Sequence, residues 1–112
     1  MDYIDMDIQV TPVNFNASQD LISHMKDYFM KLTKYNDQIT SMDIFLESIS
    51  DEKADKLVKL KILAPGHELY LQSNKEDFVT AAQDVYDRMK RQLTDQKEID
   101  KDNRQNRPDK VY

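Results

Sequence analysis

The stretch DVYDRMKRQLTDQK, residues 84–97, gathers Arg88, Lys90, Arg91 and Lys97 in a chain whose formal net charge is −5. A second group, His24, Tyr28, Lys31 and Tyr35 with Lys34 beside it, recurs at three- and four-residue spacing. Cations interleaved with aromatic rings suit a polyanion offering phosphates and flat bases, since the cations pair and the rings stack. The same residues also fit an ordinary helix surface. Asp84–Arg88, Asp87–Arg91, Arg91–Asp95 and Asp27–Lys31 are four apart, and pairs at that spacing stabilise a helix. Each such pair contributes only about 0.3–0.5 kcal/mol, so neutral residues would serve nearly as well.

Other chemistries find little material. The chain has two histidines, no cysteine and one glycine. It therefore lacks thiolate nucleophiles, cysteine metal sites and any glycine-rich phosphate loop, and His24 and His67 are not spaced as metal ligands. Asp51, Glu52 and Asp55 read as a polar hairpin turn rather than an ion site. The expectation is a protein that is not an enzyme, with no cofactor, metal or small-molecule substrate. No apolar run approaches the roughly 18 residues of a membrane span, and no signal-peptide pattern opens the chain. A soluble, cytoplasmic protein is expected, which the absence of cysteine also fits.

Overall acidity does not exclude a polyanionic partner, because binding depends on the local patch. Residues 1–25 carry Asp2, Asp5, Asp7 and Asp20 with no Lys or Arg, whereas residues 86–112 carry eight basic against six acidic residues. The salt dependence of any such binding is correspondingly steep.

The elements that must position these side chains follow from hydrophobic periodicity. With 112 residues and 39% hydrophobic content, the chain holds one modest core. Ile4, Met6, Ile8 and Val10 alternate with polar residues and predict a half-buried strand. Asn16 and Ser18 are candidate N-caps for a helix over residues 18–35, whose apolar face is Leu21, Met25, Phe29, Leu32 and Tyr35. Met42, Ile44 and Leu46, then Val58, Leu60 and Ile62, predict two further strands. Pro65-Gly66 matches a type II turn into a fourth strand near residues 68–72. Ser73 with Glu76, or Asn74 with Asp77, offers a capping box for a last helix. Its stripe is Phe78, Ala82, Val85, Met89 and Leu93, ending near residue 95. The residues from 98 to 112 read as a disordered tail, with Pro108 unable to continue a helix.

The order β-α-β-β-β-α implies an α+β two-layer sandwich: a four-stranded sheet with both helices on one face and the other face wet. That open face would show Asp5, Asp7, Asp43 and Glu47 opposite Lys59 and Lys61, with only Phe45 and Tyr70 as aromatic platforms. Its acidic strands would repel a phosphate backbone, which leaves the helices as the candidate nucleic-acid surface.

The segments DIQVTPVNF, LISHMKDYFMKLTKYNDQITSMDIFLE, VKLKILAPGHELYLQS and EDFVTAAQDVYDRMKRQLTDQK resemble the ribosome hibernation promoting factor family, also called ribosomal subunit interface or sigma-modulation proteins. The resemblance covers about residues 4–97. It implies the same β-α-β-β-β-α fold, with residues 1–97 as a ribosome-binding domain. It also implies a stress or stationary-phase factor that inhibits translation by occupying the decoding channel of the small ribosomal subunit. Basic residues of both helices would contact ribosomal RNA. By position, Lys31, Arg88, Arg91 and Lys97 match basic positions of the family, with Lys34 and Lys90 nearby. The chain departs from the pattern at Ile22, Tyr28 and Asp95, where relatives often carry a basic residue. A divergent member acting as a protein-interaction module, through Ile22, Tyr28 and Phe45, is the alternative. That reading predicts binding insensitive to salt.

Overall fold

The structure, a computed structural model, describes residues 6–49 and 55–105, with side chains as far as residue 95. Ile4, Asp5, Asp51, Glu52 and the last seven positions of the expected tail, 106–112, lie outside the described residues. Strand β1 (Asp7–Val13) leads into helix α1 (Gln19–Met30), which passes into a 3₁₀ turn (Lys31–Lys34). Strands β2 (Ser41–Ser48), β3 (Lys56–Ala64) and β4 (His67–Lys75) follow, and helix α2 (Phe78–Gln105) closes the described chain. The sheet order is β1-β2-β3-β4, with β1 parallel to β2 and the remaining pairs antiparallel. This is the predicted α+β sandwich.

Period-two alternation sorts the sheet into two faces. Met42, Ile44 and Leu46 of β2 are fully buried, as are Val58, Leu60 and Ile62 of β3. They meet Met25 and Phe29 of α1, Leu32 of the 3₁₀ turn, and Ala81, Val85, Met89 and Leu93 of α2 in one core. Burying each large side chain contributes roughly 1.5–3 kcal/mol, so this cluster fixes where both helices lie. Helix α1 packs on β1, while α2 packs on β3 and β4.

The opposite face runs in cross-strand rows. One is Gln9–Asp43–Lys61–Tyr70 and the next Thr11–Phe45–Lys59–Gln72. Lys61 forms its ion pair with Glu68 of β4 at 3.1 Å, a diagonal neighbour rather than the acidic strands.

The element ends show where local chemistry decides. Ser18 is the N-cap of α1 and accepts from the Leu21 amide at 3.1 Å. The last turn of the predicted helix tightens to 3₁₀ geometry. There the Thr33 hydroxyl donates to the Met30 carbonyl at 2.8 Å and the Tyr35 amide donates to Leu32 at 3.0 Å. Neither Ser73 nor Asn74 is the N-cap of α2, which starts at Phe78: both belong to β4, which runs to Lys75, and Asp77 accepts from the Thr80 amide at 2.7 Å. The predicted end of α2 near residue 95 also comes too early. No Gly or Pro intervenes before Pro108, and the helix runs on to Gln105. In the β3–β4 hairpin, Gly66 has φ +79, the left-handed value that a type II turn requires after Pro65.

Candidate nucleic-acid interface

The two helices and the 3₁₀ turn meet along a seam of rings. Tyr28 of α1 lies 4.7 Å from Tyr86 of α2, centroid to centroid, and Phe29 lies 6.4 Å from Tyr86. Outward along α1, the His24 ring lies nearly parallel to Tyr28 at 6.1 Å. Tyr35, just past the 3₁₀ turn, receives a hydrogen bond from the Tyr86 hydroxyl. The seam thus runs His24–Tyr28–Tyr86–Tyr35, rooted on the buried Phe29 and open at both ends.

Cations sit on these rings. Lys31 Nζ lies 6.0 Å from the Tyr28 centroid, and Lys34 and Lys90 stand over the same Tyr35 ring at 5.2 and 5.5 Å. A ring face is negative at its centre, so it holds an ammonium group without cancelling its charge as a carboxylate would. Among the described residues, Lys31, Lys34 and Lys90 form no ion pair, whereas Lys56, Lys61 and Arg88 each do.

The phenols register this field. Burial pushes the Tyr35 phenol up, but the hydrogen bond from Lys34 and the charges of Lys34 and Lys90 outweigh it, leaving the group below its ordinary value. Tyr86 goes the other way. Burial first, then its neighbour Tyr35, push it up to about 12. Burial and the Asp87 carboxylate raise Tyr28. Asp87 is therefore the acidic blemish on an otherwise cationic and aromatic strip.

Comparison with known proteins gives the family of the chain. A family model described as Sigma 54 modulation protein / S30EA ribosomal protein matches residues 8–101. The chain belongs to this family. A ribosome hibernation promoting factor from Acinetobacter guillouiae is 27% identical over 97 residues, spanning 79% of this chain and 84% of that protein. A ribosomal subunit interface protein from Coxiella burnetii shares the fold with a TM-score of 0.73 at 22% identity, over 83% of this chain and 99% of that one. The N-terminal domain of Protein Y from Thermus thermophilus superposes with a TM-score of 0.68 at 14% identity, over 81% of this chain and 97% of that one.

In this family member the basic residues singled out in the sequence, as far as their side chains are described, fall into different settings. Lys31, Lys34 and Lys90 line the seam. Arg88 is turned to the far flank of α2, where its Nη2 donates to the Gln72 carbonyl of β4 at 2.6 Å and to Asp84 Oδ2 at 3.2 Å. Asp84 also accepts from the Ser73 hydroxyl at 2.7 Å, so Arg88 closes a polar link between α2 and the sheet edge. Of the helix pairs expected from spacing, Asp84–Arg88 is formed. Arg91 is exposed, and Lys97 lies on α2 two turns beyond Lys90. Of the alternative's apolar residues, Ile22 and Phe45 are half-buried and Tyr28 is occupied by Tyr86.

Tyr86 is the residue that sequence reasoning missed. It sits inside the charged run DVYDRMKR and looks like part of a helix surface. The spacing Ala82, Tyr86, Met89, Leu93 nevertheless continues the buried stripe, and Tyr86 is only 9% exposed.

Among the described residues there is no cluster of three or more His, Cys, Asp or Glu able to hold a metal ion. No helix among them is long and apolar enough to cross a membrane.

Proposed function

We propose that this protein is a ribosome-associated translation inhibitor of the hibernation type. It binds the small ribosomal subunit in the decoding channel and contacts ribosomal RNA through basic residues of its two helices. Family membership and the names of its relatives, a hibernation promoting factor and a ribosomal subunit interface protein, support the ribosome as partner. The observation that carries the RNA-facing surface is the seam itself. Lys31, Lys34 and Lys90 rest on tyrosine rings with no carboxylate partner among the described residues, so their charge is available to phosphate. Arg91 and Lys97 remain proposed contacts from their family positions on α2, while Arg88 contributes chiefly by holding α2 to β4.

Catalysis plays no part in this role. A factor that occupies the channel needs only reversible, salt-dependent attachment. Neutralising three to five phosphates gives a slope of log affinity against log salt of roughly −2 to −4.

Co-sedimentation with purified small subunits between 50 and 200 mM salt tests it, at slopes in the range just given. Lys31→Glu combined with Lys90→Glu should abolish binding while leaving thermal stability nearly unchanged, because exposed charges contribute little to folding. Wild-type protein that fails to pellet with subunits at low salt would overturn the proposal.

A further inference from the structure

We infer that Tyr35 is a positioning residue that locks Lys34 of the 3₁₀ turn and Lys90 of α2 into one two-charge contact for an RNA phosphodiester backbone. The inference deepens the ribosome-binding reading and rests on it for the identity of the natural RNA.

Two like charges from separate elements gain nothing from proximity, and each long lysine side chain loses rotamer freedom when held. Something must hold them, and among the described residues the ring both contact is Tyr35, at 5.2 and 5.5 Å. That ring is itself fixed from two sides. Its own amide closes the 3₁₀ turn on Leu32, and its oxygen accepts the hydroxyl of the buried Tyr86. Lys34 in turn donates to the phenol. The result is a rigid anchor carrying two ammonium groups, built across the junction of two elements that are far apart in sequence.

A helix staple alone would be served better by a carboxylate opposite one of the lysines, as Asp84 serves Arg88. Holding two cations together without cancelling either prepares a surface for an anion. An RNA backbone, with successive phosphates along one strand, is the polyanion whose spacing uses both.

The test is a double-mutant cycle of Lys34→Gln and Lys90→Gln on wild-type, Tyr35→Phe and Tyr35→Leu backgrounds. Affinity is read for small subunits by co-sedimentation and for a single-stranded uridine 12-mer by fluorescence anisotropy at low salt. In the wild type, each single substitution should weaken binding about five- to tenfold and the double substitution by less than the product, since the pair acts as one contact. Tyr35→Leu should itself weaken binding about tenfold and make the two lysine substitutions nearly silent. Tyr35→Phe keeps the ring and loses only the contacts of its hydroxyl with Tyr86 and Lys34, so it should weaken binding by at most about threefold and retain the lysine coupling, which guards against a leucine variant that misfolds.

A ribosome-independent arm reads geometry. The ε-methylene protons of Lys34 and Lys90 should show upfield ring-current shifts in the free protein. Those shifts should vanish in Tyr35→Leu while that of Lys31, which sits over Tyr28, persists. Coupled binding to the 12-mer without binding to subunits would sink the ribosome reading and leave this inference standing. Multiplicative lysine effects, absent ring-current shifts, unweakened binding by a folded Tyr35→Leu variant, or no RNA binding at all would each overturn it.

Discussion

The ring of Tyr28 on α1 lies 4.7 Å from the ring of Tyr86 on α2, and this contact is where the two helices join above the sheet. It carries more than packing. The Tyr86 hydroxyl donates a hydrogen bond to Tyr35, and Tyr35 holds Lys34 and Lys90, so the joint between the helices and the placement of the cations are one construction. A surface that must offer charges from two helices at fixed separation needs such a joint, because lysine side chains alone define no geometry.

Removing the joint should cost the fold directly. Tyr86→Ala deletes a buried aromatic and should lower unfolding free energy by about 3 kcal/mol. Tyr86→Phe, which loses only the hydroxyl, should lower it by about 1 kcal/mol. Denaturant titrations of both variants check this. Equal losses in the two would mean that the hydroxyl, not the ring, is the stabilising part.

High pH should loosen the same joint. Tyr86 ionises at about 12 in the fold against an ordinary 10.0, so the folded state holds its proton more tightly than the unfolded chain does. Its contribution is fully present below pH 10, declines above that, and is gone once pH passes about 12. This difference corresponds to at most about 2–3 kcal/mol. Stability measured from pH 9 to 12 should fall less steeply in Tyr86→Phe than in the wild type. In a spectrophotometric titration, Tyr35→Phe should remove a phenol that ionises below the ordinary value, the one held down against burial by Lys34 and Lys90.

The Ser73–Asp84–Arg88 link should matter to the fold rather than to binding. The Asp84 carboxyl is held below its ordinary 3.8 by the Ser73 hydroxyl first, then by Arg88 and Lys75, against an opposing push from burial. A depressed carboxylate contributes stability that is present above pH 3.8 and lost as pH falls through the lower folded value. Asp84→Asn should therefore be destabilised relative to wild type at neutral pH, with the gap closing in acid. Asp84→Ala, which leaves the buried Ser73 hydroxyl without its acceptor while Arg88 keeps the Gln72 carbonyl, should cost about 1–3 kcal/mol. Subunit binding should change less than about threefold in these variants at low salt, far less than for Lys90→Glu. Thermal melts across pH 2–7 alongside co-sedimentation decide the matter.

Removing a negative charge should improve the surface. Asp87 raises the Tyr28 and Tyr86 phenols by its charge, so it also opposes phosphate at the seam. Asp87→Asn should tighten RNA binding by about two- to threefold at 50 mM salt, and the gain should shrink by 500 mM as screening shortens its reach. A weaker complex in that variant would mark the carboxylate as a contact rather than an obstacle.

Much of this molecule was legible from one dimension. The alternation of Met42, Ile44 and Leu46, and of Val58, Leu60 and Ile62, determined two strands and the face they bury. Pro65-Gly66 determined the hairpin, and the β-α-β-β-β-α order determined the sandwich, because strand and helix periods and turn geometry are local properties. The same locality explains the errors at the ends. Ser73 belongs to β4 because it pairs with Val58 of β3, fifteen residues away, and its hydroxyl donates to Asp84, eleven residues away.

The fate of each cation was not local at all. Arg88 and Lys90 are near neighbours on one helix, yet a two-residue step turns a side chain to the opposite flank. One flank meets the Gln72 carbonyl and Asp84, and the other meets Tyr35 beside Lys34. Sequence determined that basic residues and tyrosines recur along both helices. Only the packing of α2 against β4 and the 3₁₀ turn decided which charges are consumed inside the fold and which stand on tyrosine rings.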